Sequence, residues 1–293
     1  MNNNYLRIGT RSSDLAIWQA NHLAQQLHCK GIDTKLILAD DNADNALIGK
    51  FSDEVEQLLL SNKVDIAVHS LKDLDTKPKE GLVIAGLSSR ANPSDLLIIH
   101  PEFYDESQLF KIKNTTVIGT SAERRKYQIL LFRPDLIVQN IRGNITERIA
   151  LLRESKIGAI ILAKAGIDRL DMDLVDLKTI ILHPREFTPA AGQGILAYQV
   201  KTENIYVRKL LMQIHNYDVA QCSNVERKIL HELHAGCKSP FGVFCEKDVR
   251  GMFHCHLFAQ YEEKSIKVKY SQSTTFGLVE EVLKQYHQQL AIT

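Results

Sequence analysis

Residues 64–73 read VDIAVHSLKD. Val64, Ile66, Ala67 and Val68 form a short apolar run with β-branched members, which suits a buried strand. His69, Ser70, Lys72 and Asp73 arrive together where the run ends. Open α/β sheets collect ligand chemistry at the carboxyl ends of their strands, so Asp73 is the first candidate for a working carboxylate. On this stretch alone the competing reading is a surface turn with a solvated Lys72–Asp73 pair.

Arginines recur at comparable places. Arg11 follows a strand expected over Tyr5–Thr10 and sits beside the start of a helix, where backbone N–H groups favour an anion. Ser12 or Ser13 can cap that helix, with Asp14 favourable in its first turn. Arg124 and Arg125 fall in the first turns of a helix expected over 121–131. Cations there oppose the helix dipole, and the placement makes better sense if an anion binds between them. Arg142 opens the turn Arg142-Gly143-Asn144, and Arg148 lies on the helix after it. Arg169, with Lys164, lies on a helix expected after a strand over 157–162. The planar guanidinium fork pairs with carboxylate or phosphate through two hydrogen bonds. One such arginine is ordinarily a surface residue; several at equivalent strand-to-helix junctions point to a polyanionic ligand.

These residues need a scaffold. A chain of 293 residues suggests two or three domains. With 44% hydrophobic and 24% charged residues it can fill ordinary cores. Strands are expected over 5–10, 34–39, 64–68, 82–87, 96–99, 116–119, 135–138 and 157–162. Helices are expected over 16–27, 51–60, 121–131, 145–154 and 163–170, with a polar loop over 40–50. Such alternation indicates parallel sheets with crossover helices. TPAAGQG, 188–194, is a link that could return the chain to the first unit. Two crossings would make a hinged pair with a cleft. GQG lacks the third spaced glycine and preceding strand of a dinucleotide fingerprint, and there is no P-loop. The remainder reads as a small α+β domain: a helix over 218–233, strands over 242–245, 252–260 and 265–272, and a helix over 276–290.

The formal net charge of +1 excludes a global field favouring nucleic acid or membrane. No apolar stretch is long enough to span a bilayer. The start MNNNYLRIGT lacks signal-peptide regions, so a cytoplasmic location with reduced thiols is expected for the five scattered cysteines. His231, His234, Cys237, Cys245, His254, Cys255 and His256 invite a zinc reading. There is no CxxC pair, and the HELH spacing is wrong for a helical ligand pair, so no metal is expected. Cys222 lies on an apolar helical stripe and reads as core filler. Cys237 follows Ala235-Gly236 on an expected loop. A helix C-terminus raises a thiol pKa, so Cys237 does not read as a thiolate nucleophile. An attachment point for a covalent group stays open.

Taken together the motifs resemble a known family. GTRSSDLAIWQ (Gly9 to Gln19), DIAVHSLKD (Asp65 to Asp73), GTSAERR (Gly119 to Arg125), RPDL (Arg133 to Leu136) and RGNITER (Arg142 to Arg148) occur in order, followed by LAKAGIDRL (Leu162 to Leu170), PAAGQG (Pro189 to Gly194) and AGCKSPFG (Ala235 to Gly242). The set is similar to that of the porphobilinogen deaminases, or hydroxymethylbilane synthases, over nearly the whole chain up to Gly242. The resemblance implies an α/β fold: two periplasmic-binding-protein-like α/β domains around a cleft plus a small α+β C-terminal domain. The corresponding division is 1–95 with 188–214, then 96–187, then 215–293.

The resemblance further implies a dipyrromethane cofactor held by a thioether to Cys237. The substrate would be porphobilinogen, joined head to tail with loss of ammonia in tetrapyrrole biosynthesis. It implies a monomer that engages neither nucleic acid nor membrane. Asp73 matches the catalytic carboxylate. Arg11, Ser13, Lys72, Arg124, Arg125, Arg142, Arg148 and Arg169 match the binders of cofactor and substrate, whose pyrroles carry acetate and propionate arms. The chain departs from the family pattern in places. Where GKGxFxKELE is usual it has LIGKFSDEVE, which puts Ile48 and Asp53 on lysine positions, with Lys50 as a stand-in for the first. Asp53 is expected to weaken anion binding there. Ala122-Glu123 replaces Ser-Leu, Ser94 an arginine and Asp75 a proline. The rival reading is a diverged relative that keeps the cleft as a module for binding anionic ligands. A periplasmic-type solute-binding protein is a third.

Overall fold

The computed structural model describes residues 5–39, 53–235 and 239–291. The chain begins with β1 (Tyr5–Thr10), α1 (Asp14–His28), β2 (Asp33–Leu38), α2 (Asp53–Leu60), β3 (Ile66–Ser70) and β4 (Leu82–Leu87). Next come β5 (Asp95–Ile99), β6 (Val117–Gly119), α3 (Glu123–Phe132), β7 (Ile137–Gln139), α4 (Ile145–Arg153), β8 (Ala159–Ala163), α5 (Lys164–Arg169) and β9 (Lys178–Leu182). Then follow β10 (Leu196–Lys201), α6 (Ile205–Met212) and α7 (Tyr217–Glu232). The chain closes with β11 (Phe241–Lys247), β12 (Phe253–Tyr261), β13 (Lys264–Gln272) and α8 (Leu278–Ala291). These elements fall into two compact units, Met1–Ala91 with Ile195–Ala220 and Asn92–Gly194 with Gln221–Thr293.

The first unit is a five-stranded sheet in the order β2-β1-β3-β10-β4. Helix α1 turns Ala16, Gln19, Ala20, Leu23 and Leu27 inward at helical spacing. Ala20, Leu23 and Leu27 meet Ile8, Ile66, Val68 and Tyr198 on one face of the sheet. Val55 and Leu59 of α2 pack with Val64 and Ala67 on the other. Covered on both faces, β3 is a continuous apolar run rather than an alternating one.

The second unit holds two sheets. The first has the order β7-β6-β8-β5-β9. Ile149, Leu152 and Ile167 cover one face through Ile98 and Ile160, and Ile129 covers the other through Leu97 and Ile161. The second is the antiparallel meander β11-β12-β13, with a core of its own in which Val225, Ile229, Val279 and Val282 pack on Val243, Cys255 and Leu257. Val243 N–H donates to Pro189 O at 3.0 Å. A Cβ on Gly242 would lie 2.5 Å from Thr188 O, so only glycine allows this approach of β11 to the 188–189 backbone.

The expected parallel sheets are in fact mixed. β10 runs antiparallel to β3 and β4, and β5 runs antiparallel to β8 and β9. Each lies at a point where the chain has just passed between units, so no crossover helix dictates its direction. β9, β10 and α6 were not among the expected elements. β3 also runs two residues later than expected, because Ser70 and His69 pair with Leu196 and Ala197 of the unforeseen β10. The expected polar loop over 40–50 lies outside the described residues.

Candidate active site

In the first unit, β3 ends in a turn of 3-10 helix, Leu71–Asp73. Leu71 is buried, and its N–H donates to Ile195 O at 2.9 Å. This pins the turn that presents Lys72 and Asp73. Asp73 shares a pocket with Arg11, Gln19, His69 and Ser70, whose apolar lining includes Val55 and Val68. The sequence-predicted Arg11 and Asp73, 62 residues apart, are thus brought together because β1 and β3 are parallel neighbours. Gln19 Nε2 donates to Ser70 Oγ at 3.0 Å, joining α1 to the end of β3. Ser13 stands at the N-cap of α1 but makes no capping bond with its side chain.

His69 is 7% exposed. Burial pushes its pKa down to about 4, against a smaller upward pull from Gln199, while the charge of Arg11 adds to the fall. Its ring is therefore neutral at physiological pH. Among the described residues no side chain hydrogen-bonds the Asp73 carboxylate, which leaves it available to a ligand or to a positive charge that develops on one.

In the second unit the arginines lie where β6, β7 and β8, all parallel, run into α3, α4 and α5. The anion that the sequence demanded between Arg124 and Arg125 is Asp95, the first residue of β5. Asp95 is 0% exposed, and the two arginines are 4% and 7% exposed. Arg124 Nη1 donates to Asp95 Oδ2 at 2.7 Å and to Thr188 O at 2.8 Å. Arg125 Nη2 donates to Asp95 Oδ1 at 2.8 Å and Arg125 Nη1 to Ile161 O at 3.0 Å. Gln193 Nε2 donates to the same Oδ1 at 2.9 Å. Burial pushes the Asp95 carboxyl up, but the two guanidinium charges outweigh it and hold it well below the usual carboxylate range.

Two buried cations against one carboxylate leave an excess positive charge. It reaches Arg148, whose pKa is lowered by burial and then by Arg125. Arg148 Nε donates to Gly143 O at 2.8 Å and Nη2 to Ser121 Oγ at 3.5 Å. A capping box between Asn144 and Glu147 holds that turn. Arg142 is exposed, and Arg169 Nη2 donates to Gly194 O at 2.8 Å.

Sequence reasoning missed three participants as site residues. Gln19 is a polar residue on the buried stripe of α1, an anomaly legible in the pattern. His69 sits four residues before Asp73. Asp95 is an acid directly ahead of the apolar run LLII. Cys237 lies outside the described residues, as do Ile48 and Lys50. Cys222 is buried in the C-terminal core, as expected. Among the described residues no three His, Cys, Asp or Glu side chains come together as a metal site.

Comparison with known proteins accords with this arrangement. A family model described as porphobilinogen deaminase, dipyromethane cofactor binding domain, matches residues 6–209. The porphobilinogen deaminase of Syntrophomonas wolfei is 36% identical over 281 residues, covering 92% of this chain and 89% of that protein. The probable porphobilinogen deaminase of Methanosarcina barkeri is 35% identical, covering 82% and 76%, and that of Listeria monocytogenes 36%, covering 82% and 80%. With a family model matching more than half of its length and relatives this similar along most of theirs, the chain belongs to the porphobilinogen deaminase family.

Proposed function

We propose that this protein is a hydroxymethylbilane synthase, a transferase that joins four porphobilinogen molecules head to tail and releases ammonia at each step. The observation that carries the reading is the pocket that gathers Arg11 and Asp73 at the end of β3. The donor set also fits a dipyrromethane. Its acetate and propionate arms are anions, and Arg11, Ser13, Lys72, Arg142, Arg148 and Arg169 offer cationic or hydroxyl donors to them. Arg124 and Arg125 are committed to Asp95, and the charge of Arg125 is felt at Arg148. Cys237 is the proposed thioether attachment. When bound, the dipyrromethane supplies the pyrrole carbon to which the first substrate is joined.

The work of the chain itself is electrostatic. Loss of ammonia from porphobilinogen leaves an electron-poor methylene-pyrrole cation. The Asp73 carboxylate, held by the anchored turn and bonded to no described side chain, stabilises that charge as it develops. It is also placed to accept the proton released when the ring regains aromaticity. The domain division that accompanies this reading is 1–95 with 188–214, 96–187 and 215–293, and the separate core of the C-terminal sheet supports the last boundary. A cytoplasmic monomer is part of the same reading; no helix among the described residues is long and apolar enough to cross a membrane.

Intact mass of the purified protein tests the proposal, combined with ammonia release from porphobilinogen. The expected result is the mass of one dipyrromethane in addition to the chain, lost in Cys237→Ser, with turnover by the wild type only. An unmodified wild-type chain that binds porphobilinogen without turnover would overturn it in favour of a binding module.

A further inference from the structure

His69 has no part in the reading so far, yet its surroundings are specific. It lies on β3 opposite Ala197, and Gln199 lies opposite Ala67. His69 and Gln199 are therefore diagonal neighbours on one face of the ladder, within reach of long side chains. Gln199 Nε2 donates to Glu56 Oε1 at 2.8 Å. The other carboxylate oxygen of Glu56 accepts from Lys79 Nζ at 3.3 Å. Glu56 is buried and takes the amide nitrogen of Gln199, so the amide oxygen must point elsewhere. Among the described residues, that oxygen, Gln199 Oε1, and His69 Nε2 are both sealed from solvent and neither reaches a partner within hydrogen-bond geometry, yet the Gln199 side chain lies close enough to pull the His69 pKa upward. An acceptor facing a ring nitrogen in a dry site selects the N–H form of that nitrogen.

We propose that Glu56 and Gln199 hold His69 in the Nε2–H tautomer, so that Nδ1 presents a lone pair to the pocket and accepts a hydrogen bond from a pyrrole N–H of the ligand. Several observations support the choice of donor. His69 lines the pocket, and with Nε2 sealed, the edge that carries Nδ1 remains for the ligand. A lone pair repels a carboxylate, so the acidic arms belong to Arg11 and the group facing His69 must be a donor. Arg11, whose charge reaches His69, disfavours a cationic donor such as an ammonium. A pyrrole N–H is neutral. Linked pyrroles bring one N–H each, so Asp73 and His69 can both be served. A ring kept neutral by burial accords with an acceptor role.

This inference rests on the proposed substrate, but its first test does not. In full-length 15N-labelled protein, long-range 1H–15N correlation reads the ring tautomer of His69, assigned by its loss in His69→Asn. The expected result is a proton on Nε2 and a bare Nδ1 near neutral pH, with tautomer mixing in Gln199→Leu. A bare Nε2, or a charged ring, in the wild type would overturn the proposal. The second test is kinetic, on variants shown by thermal melts to be folded. Asparagine places an amide near the position of Nδ1 and glutamine near that of Nε2. His69→Asn, which keeps an acceptor near the position of Nδ1, is expected to raise KM for porphobilinogen less than His69→Gln. His69→Gln is expected to raise it about 3- to 10-fold, the loss of one neutral hydrogen bond. Equal effects of the two substitutions would assign His69 a purely structural role. Absence of wild-type turnover would defeat the enzymatic reading while leaving the tautomer result interpretable.

Discussion

At the scale of the residue, two aspartates carry opposite duties. Asp73 has no described side-chain partner, and in the proposed mechanism it serves a charge that appears only during reaction. Asp73→Asn is nearly isosteric but neutral, and should retain the fold while lowering turnover by about 10²- to 10³-fold, as removal of a directed electrostatic group does elsewhere. Ammonia release near the wild-type rate by a folded Asp73→Asn protein would exclude the role. Asp95 is the reverse case. It is sealed and holds Arg124, Arg125 and Gln193 together. Asp95→Asn leaves two guanidinium groups buried without their counter-charge, and should cost about 3–5 kcal/mol, read as a fall in the urea midpoint. Its folded pKa is depressed, so its contribution to stability is present above the unfolded carboxyl value of about 3.9 and is lost as pH falls below that. The wild type should therefore lose more stability than Asp95→Asn on acidification below about pH 4.

At the scale of the element, α2 shows how a departure from the family pattern is absorbed. Asp53 stands where a lysine is usual, yet Lys79 Nζ lies 3.1 Å from its Oδ1. Lys79 also pairs with Glu56, and its pKa is raised because the hydrogen bonds and charges of the two acids together outweigh its burial, the largest single effect. Asp53 is moreover an acid in the first turn, where the helix dipole favours it. Its charge is thus used within the unit. Asp53→Lys should destabilise the protein by about 0.5–1 kcal/mol, the range for a partly exposed pair, and leave KM for porphobilinogen within about twofold, since Lys79 already screens the site. Steady-state assays at low and high salt check this: a KM that falls markedly at low salt alone would show that Asp53 acts on the anionic ligand instead.

At the scale of the whole molecule, the buried histidines set a pH window. His69 in the first unit and His256 in the C-terminal sheet are both held at about 4, in each case chiefly by burial. The unfolded chain binds protons at these positions from about pH 6.5 downwards, while the folded protein does not. Stability should therefore rise with pH between about 4 and 6.5 and level off above. For His69 the difference between pH 7 and 5 should be about 1–2 kcal/mol. Urea denaturation at both pH values measures it, and His256→Gln should show a smaller drop than the wild type. An identical pH dependence in that variant would mean that His256 is accessible to protons in the folded state.

Much of this architecture was legible in the sequence because it depends on local pattern. The stripe of α1, the apolar run of β3 and the three strands of the C-terminal meander each follow from local apolar residues that must be buried. The arrival of polar residues at the end of the apolar run of β3 marked Asp73, although the sheet itself continues through His69 and Ser70. The collinear motifs placed the chain in its family before any geometry was known. Tertiary structure decided what periodicity does not encode, namely which distant polar groups meet. Arg124 and Arg125 read as a socket for an external anion until Asp95, about 30 residues away, filled it. β10 enters antiparallel between β3 and β4 because it returns from the other unit, and it brings Gln199 to Glu56, 143 residues away in sequence. A buried polar group must find a partner wherever the fold supplies one, and that choice is made by the packed chain rather than by its neighbours in sequence.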